Sequence, residues 1–264
     1  MVIDSHAHLN DARLHSNLPH WIEAARAAGL SAIINVGYDL PSSELAVNQA
    51  QRFPEIYAAV GVHPHDAATW TDQLATRLEA LSYRPRVQAW GEIGLDFHYD
   101  NSPRDVQEEV FAIQLELAKR RGLPVIIHNR DAHAAVLRIL QQHAPYPAGG
   151  VMHCYSSSPE MLPAFLELGF YISLAGPVTF KNSRRLPEVV RRVPLDRLLA
   201  ETDSPYMAPE PYRGNLNHPA LVTEVIRKMA EILEMEYADV AQTTAANGRR
   251  LFRLPPASEA GADS

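Results

Sequence analysis

The sequence predicts a single α/β domain of the (β/α)8, or TIM-barrel, class with extra C-terminal helices, and three observations carry that prediction. Eight short runs rich in β-branched residues alternate with longer stretches of helical periodicity. No linker or shift in composition interrupts the series. The segment that follows the first run, "DSHAHLND", lacks the glycine loop that an open nucleotide-binding sheet would place there. The domain is expected to cover residues 1–254, and residues 255–264, without periodicity, to form a flexible tail.

Taken in order, "VIDSH" is the first strand, and "PHWIEAARAAG" follows as a helix with proline near its start and glycine at its end. "SAIINVG" is the second strand, leading to a helix over residues 42–52. "IYAAVGVHPH", "VQAWGEIGLD" and "LPVIIHNRD" are the third, fourth and fifth strands. The helix between the last two, "DVQEEVFAIQLELAKRRG", repeats apolar residues at three- and four-residue spacing and stops at Gly122. "GGVMHCYSS", "GFYISLAGP" and "DRLLAETDSP" complete the eight. Helices over residues 218–235 and 237–252 are expected to pack outside the barrel.

Composition narrows the function. At 264 residues and 46% hydrophobic, the chain can enclose a full core. A net charge of -7 argues against a sequence-independent grip on a nucleic-acid backbone, while leaving room for a metal ion to engage a phosphate. The one cysteine, Cys154, has no partner for an intramolecular disulfide. Neither a signal peptide nor an apolar run of about 20 residues is present, so a cytoplasmic location without membrane contact is expected.

The chemistry lies at the strand ends. His6 and His8 close the first strand, His63 and His65 the third, Glu92 and Asp96 the fourth, His128 the fifth, His153 the sixth, and Glu201 and Asp203 the eighth. A barrel gathers these ends at one mouth, and grouping so many polar side chains without a partner costs several kcal/mol of desolvation. Imidazole with carboxylate suits Zn²⁺, Mn²⁺ or a similar divalent ion, and four histidines with two carboxylates exceed what one catalytic ion uses. Two ions are therefore expected: His6, His8 and Asp203 on one, His128 and His153 on the other, with Glu92 bridging. Such a pair activates water for hydrolysis. Asp203 is the expected general base, and Glu92 shares the catalytic centre with it. Strand alternation places Asp4 on the face of His6 and His8, where it reads equally as an acceptor for a ligand imidazole or as a structural carboxylate; Asp96 and Glu201 are expected to support the ligands from behind. Alternation turns Cys154 away from the mouth, where it reads as a small buried hydrophobe.

Six fragments, "DSHAHL", "GVHPH", "GEIGLD", "IHNRDA", "HCYSSS" and "ETDSPY", in this order over nearly the whole chain, resemble the TatD family of metal-dependent deoxyribonucleases in the amidohydrolase superfamily. The resemblance implies two divalent ions, with Mg²⁺ supporting cleavage, and hydrolysis of DNA phosphodiesters from the 3′ end, on single strands or 3′ termini. It assigns the metal to His6, His8, Glu92, His128, His153 and Asp203. It places His63 and His65 at the rim facing substrate, Arg130 against a phosphate, and Arg213 in a loop that usually reads "PYRGKRNEP". Here that loop reads "PYRGNLNHP", so Asn215, Leu216 and His218 replace Lys, Arg and Glu, removing two basic groups. Tyr155 either stacks on a base or covers the rim. Two other functions fit the same residues: hydrolysis of a carbonyl substrate such as an amide, a lactone or an aminoacyl-tRNA ester, and a non-catalytic metal-binding scaffold.

Overall fold

In the computed structural model, which describes residues 1–256, one sheet of eight parallel strands runs in sequence order. The strands are β1 (Val2–Ala7), β2 (Leu30–Val36), β3 (Ile56–Val60), β4 (Val87–Asp96), β5 (Val125–Arg130), β6 (Gly150–Met152), β7 (Phe170–Leu174) and β8 (Leu198–Ala200). Between them lie α1 (Ala12–His15), α2 (Leu18–Ala27), α3 (Leu40–Arg52), α4 (Asp72–Ser82), α5 (Arg104–Arg121), α6 (His133–Gln142), α7 (Leu162–Glu167) and α8 (Leu186–Arg192), with α9 (Val222–Leu233) and α10 (Tyr237–Phe252) after β8. The expected TIM barrel is present. The part of the anticipated tail beyond residue 256 lies outside the described residues. Among the described residues no helix is long and apolar enough to cross a membrane.

Two apolar layers define the barrel wall. Ile3, Ile34, Tyr57, Ala89, Ile126, Val151 and Leu199 form the inner layer, while alternate residues such as Val2, Ile33, Trp90, Ile127 and Met152 pack outward among the helices. The two terminal helices divide between these layers, in part against the sequence expectation. Val225, Ile226 and Met229 of α9 and Val240 and Ala241 at the start of α10 join the outer layer, but Ala245, Leu251 and Phe252 of α10 join the inner one. The second half of the last helix therefore plugs the barrel, burying apolar area that would otherwise face water inside an open cylinder. Asn247 holds the plug by donating to the carbonyls of Leu195 and Leu198 at the start of β8.

Two bulges set the phase of the site. In β1, Ile3 faces inward and Ser5 bonds across the interior to Ser173 at 3.0 Å, so simple alternation would turn His6 outward. The pairing with β2 slips between Asp4 and Ala7, and this extra residue returns His6 and His8 to the interior. Asp4 is left on the other face. In β4, Ala89 faces inward, and a Cβ on Gly91 would meet the Ile126 side chain at 2.6 Å inside the barrel. The pairing with β5 slips between Trp90 and Ile93, which brings Glu92, Gly94 and Asp96 into the interior phase. Without that slip Glu92 would follow Trp90 into the helical layer.

Three strands are shorter than the sequence runs suggest. β3 stops at Val60, and His63 caps a 3-10 turn, Pro64–Thr69, that proline's missing N–H permits at its first position. β6 stops at Met152 because Cys154 turns into the left-handed region with φ of 42°. β8 stops at Ala200, and the loop that follows closes the cylinder on β1: Ala7 bridges Ser204, the His8 N–H donates to the Ser204 carbonyl at 2.7 Å, and the Asp203 N–H donates to the His6 carbonyl at 2.9 Å. Asp4 secures this seam by accepting from the Thr202 N–H at 2.8 Å and the Thr202 hydroxyl at 2.5 Å. Burial pushes its carboxyl well above the usual range despite those bonds.

Removing the Asp4 acceptor leaves two buried donors of Thr202 unpaired, each costing about 1–3 kcal/mol. Asp4→Ala should therefore lower unfolding stability by about 3 kcal/mol, read as a lower denaturant midpoint at unchanged slope, and Asp4→Asn, which keeps an acceptor, should cost less.

Candidate metal centre

Glu92 stands at the centre of the mouth, and its two oxygens face two different sets of side chains. Oε2 lies 3.5 Å from His6 Nε2 and 3.6 Å from His8 Nε2. Asp203 Oδ1 completes that set at 3.7 Å from His6 Nε2 and 3.4 Å from His8 Nε2, while the two imidazole nitrogens are 3.2 Å apart. On the other side, Glu92 Oε1 lies 2.7 Å from His128 Nδ1, 2.9 Å from His153 Nε2 and 3.6 Å from His63 Nε2. The backbone allows this crowding at Gly94, whose φ of 143° and approach to the His128 carbonyl leave no room for a Cβ, which would sit 2.0 Å from that oxygen.

The second nitrogen of each ring decides what the first can do. His8 donates Nδ1–H to the Val36 carbonyl at 2.9 Å, so its Nε2 presents a lone pair to the site. His153 donates Nδ1–H to Glu201 at 3.1 Å, which again leaves Nε2 as the free donor atom. In His128 the roles reverse: Nε2 bonds to Asp96 at 3.1 Å and Nδ1 faces Glu92. His63 differs from all three. Its Nδ1 accepts the His65 N–H at 3.1 Å, so the neutral ring carries its hydrogen on Nε2 and offers the mouth an N–H rather than a lone pair. His65 is turned to Asp96, 3.0 Å away, and shares that carboxylate oxygen with His128. Asp96 and Glu201 thus sit behind candidate ligand imidazoles, whereas Asp4 touches Thr202 and the His6 N–H and meets no ring nitrogen. The bulge in β1 is the reason.

Electrostatics agree with a site made for cations. Burial would raise Glu92, but the imidazoles of His153 and His63 and the bond from His128 hold it well below the usual carboxylate range. Burial works the same way on Asp203, and His8 and His153 overcome it to lower the carboxyl. For His153, burial opposes a charge, yet Glu92 and Glu201 outweigh it and raise the pKa well above normal. His63 is pushed well down by burial and by the neighbouring His128, so it is neutral near pH 7. The donor chemistry fits divalent metal. His6, His8, Glu92 and Asp203 atoms mostly lie 3.4–3.7 Å apart, longer than hydrogen bonds. That spacing is close to the edge of about 3.4 Å for a tetrahedron of donors about 2.1 Å from one ion. His6 Nδ1 is buried without a hydrogen-bond partner, so among the described residues no acceptor fixes the orientation or tautomer of that ring as the acceptors behind His8, His128 and His153 do.

Above these side chains opens a cavity of about 1060 Å³, and its walls hold, besides the anticipated Arg130, residues that motif reading missed. Tyr206 and Arg13 line one side as a stacked pair at 4.6 Å, Tyr99 and Arg130 another at 4.6 Å, and Arg184 and Arg185 a third. Apart from Arg130, the last residue of β5, all follow strand ends, so their place after the strands was the available signal. Three expected placements change. Tyr155 lies in the wall but is 3% exposed, with its ring against Phe165 and its hydroxyl donating to the Ser158 carbonyl, so no face is free to stack a base. Arg213 is exposed outside the cavity wall and stacks on Phe180 at 3.8 Å. Cys154 lines the cavity, because alternation no longer applies once β6 has ended, and burial with the nearby Asp203 pushes its thiol well up.

A (β/α)8 barrel with paired imidazole and carboxylate groups at the C-terminal mouth defines this protein's class as metal-dependent hydrolase. The chain belongs to the TatD-related DNase family, whose model matches residues 3–253. It is 43% identical over 254 residues to the uncharacterized metal-dependent hydrolase YabD of Bacillus subtilis, covering 96% of this chain and 100% of that one. Identity is 35% to the 3′-5′ ssDNA/RNA exonuclease TatD of Edwardsiella piscicida, with coverage of 96% and 100%. Among solved structures, the TatD homolog YJJV of Escherichia coli superposes with a TM-score of 0.91 at 30% identity, covering 96% of this chain and 98% of that one.

Asp96→Asn and Glu201→Gln should each weaken divalent-metal affinity about 10- to 100-fold, measured by competition with a chelating dye, because the ring in front of each exchanges a charged carboxylate acceptor for a neutral amide oxygen. Affinity should also fall with acid. His8, His128 and His153 have raised pKa values, so acid gives them protons that metal must displace, and titration calorimetry should show weaker binding with proton release at pH 6 than at pH 8.

Proposed function

We propose that this chain is a cytoplasmic 3′-5′ exonuclease acting on DNA, on single strands or 3′ ends, with two divalent ions, Mg²⁺, Mn²⁺ or Zn²⁺. The observation that carries this reading is the divided carboxylate of Glu92, one oxygen toward His6 and His8, the other toward His128 and His153. His6, His8 and Asp203 with Glu92 Oε2 would hold one ion, and His128 and His153 with Glu92 Oε1 the other. Divalent ions there supply Lewis acidity to a phosphodiester and lower the pKa of water.

The chain's own groups supply the rest. Asp203, kept ionised by His8, accepts the proton of the attacking water. His63 directs its Nε2–H at a substrate oxygen, and His65, part exposed beside Asp96, lines the same wall. Arg130 makes no ion pair among the described residues and stands ready for a phosphate. Tyr99 and Tyr206, each backed by an arginine, offer faces on which unpaired bases can stack. Anionic substrate suits these arginines better than a neutral amide or lactone does. The nuclease relatives named for single-stranded DNA and RNA support the same direction.

End-labelled single-stranded DNA incubated with metal-loaded protein should shorten one nucleotide at a time from its 3′ end, and exhaustive chelation should stop it. Asp203→Asn should lower kcat by about 10²- to 10⁴-fold. Full turnover by that variant would remove Asp203 as base, and silence on both DNA and RNA would overturn the nuclease reading.

A further inference from the structure

We infer that Arg184 and Arg185 grip backbone phosphates of a nucleic-acid strand beyond the bond being cut, so that affinity grows with strand length. This rests on the nuclease reading and specifies how that site selects its substrate. Both residues lie on the loop between β7 and α8, are exposed, and line the cavity that holds Glu92 at its floor.

The charge balance of the mouth points to them: Arg130 at the end of β5 is also unpaired among the described residues, but it stacks on Tyr99. The chain as a whole carries -7, and Arg13, though in the cavity, is neutralised by a two-bond pair with Asp11 at 2.9 and 2.8 Å. The guanidinium groups of Arg184 and Arg185 make neither ion pair nor hydrogen bond among the described residues, although the Arg185 carbonyl accepts from the Glu188 and Val189 N–H groups. Glu160, close enough to feel Arg185, forms no bridge with it. Two adjacent unpaired guanidinium groups on an acidic protein, facing a pocket whose carboxylates serve metal, match a ligand with repeated negative charge. A strand of phosphodiesters is such a ligand, whereas a single small ester engages only the floor.

The loop is also held at its base. Thr179 accepts the Glu210 N–H at 2.8 Å, the Ser183 N–H donates to the Phe180 carbonyl at 2.9 Å, and Arg213 stacks on Phe180. Arg213, displaced from the mouth, thus steadies the segment that carries the two free arginines. They provide at the β7 side the basic charge that the "PYRGNLNHP" loop lacks.

The test measures binding rather than turnover. Fluorescein-labelled oligothymidylates of increasing length, from dimer to dodecamer, are titrated by anisotropy against the full chain carrying Asp203→Asn in Mn²⁺ buffer, with and without Arg184→Gln and Arg185→Gln. With the arginines present, affinity should rise with length. The double glutamine variant should bind the longer strands at least about tenfold more weakly, and its salt slope should shrink by about 1.4, the counterion release of two phosphate contacts on a single strand. Lysine at both positions should restore the slope. Equal length dependence and equal slope with and without the arginines would overturn the inference, as would absence of any strand binding. Failure of the wild-type chain to degrade DNA or RNA is read separately, in the turnover assay, and bears on the nuclease reading.

Discussion

The seam between β1 and the loop after β8 is the constraint on which the site depends. Candidate ligands from opposite ends of the chain meet only because the His8 N–H, the Asp203 N–H and the Asp4 carboxylate hold these two segments in register. Each bond contributes about 1 kcal/mol net, but all are buried, so leaving one unmade would cost more than making it gains. Closure and metal-site geometry are consequently the same event. The bulge in β1 completes it by bringing two histidines inward while Asp4, which precedes it, stays on the outer face and meets Thr202.

A second bulge does for β4 what the first does for β1. Glu92 would otherwise face the helices, and the charged group would lie in an apolar layer at prohibitive cost. Bulges recur beside active sites because one extra residue re-aims a side chain without abandoning the sheet. Here they turn ligands of two strands toward a common point, while His128 and His153 reach it by ordinary alternation.

Hydrogen bonding then sorts four of the histidines by role. Acceptors behind His8, His128 and His153 expose a lone pair on the nitrogen facing the centre; the donor behind His63 does the opposite. Chemically similar rings less than 6 Å apart thereby present the mouth with either a lone pair or an N–H donor. Farther out, the mouth changes sign. Its floor is rich in carboxylate, its walls carry arginine and tyrosine, and the contrast suits an anion drawn toward cations.

The order of strands, the barrel and the convergence of His6, His8, Glu92, His128, His153 and Asp203 on one mouth could be read from the chain, because strand periodicity and the rule that strand ends share a face are local or topological facts. Only the tertiary structure decided which face Asp4 takes, since a bulge depends on the neighbouring strand's pairing and leaves no mark in a single run of residues. The same holds for α10, whose amphipathic pattern suits either a barrel's outside or its open end, and for Cys154, whose direction depends on where β6 stops. Tyr155, Arg213, Arg184 and Arg185 were decided the same way: side chains on loops are placed by distant packing partners, and periodicity says nothing about where a loop bends.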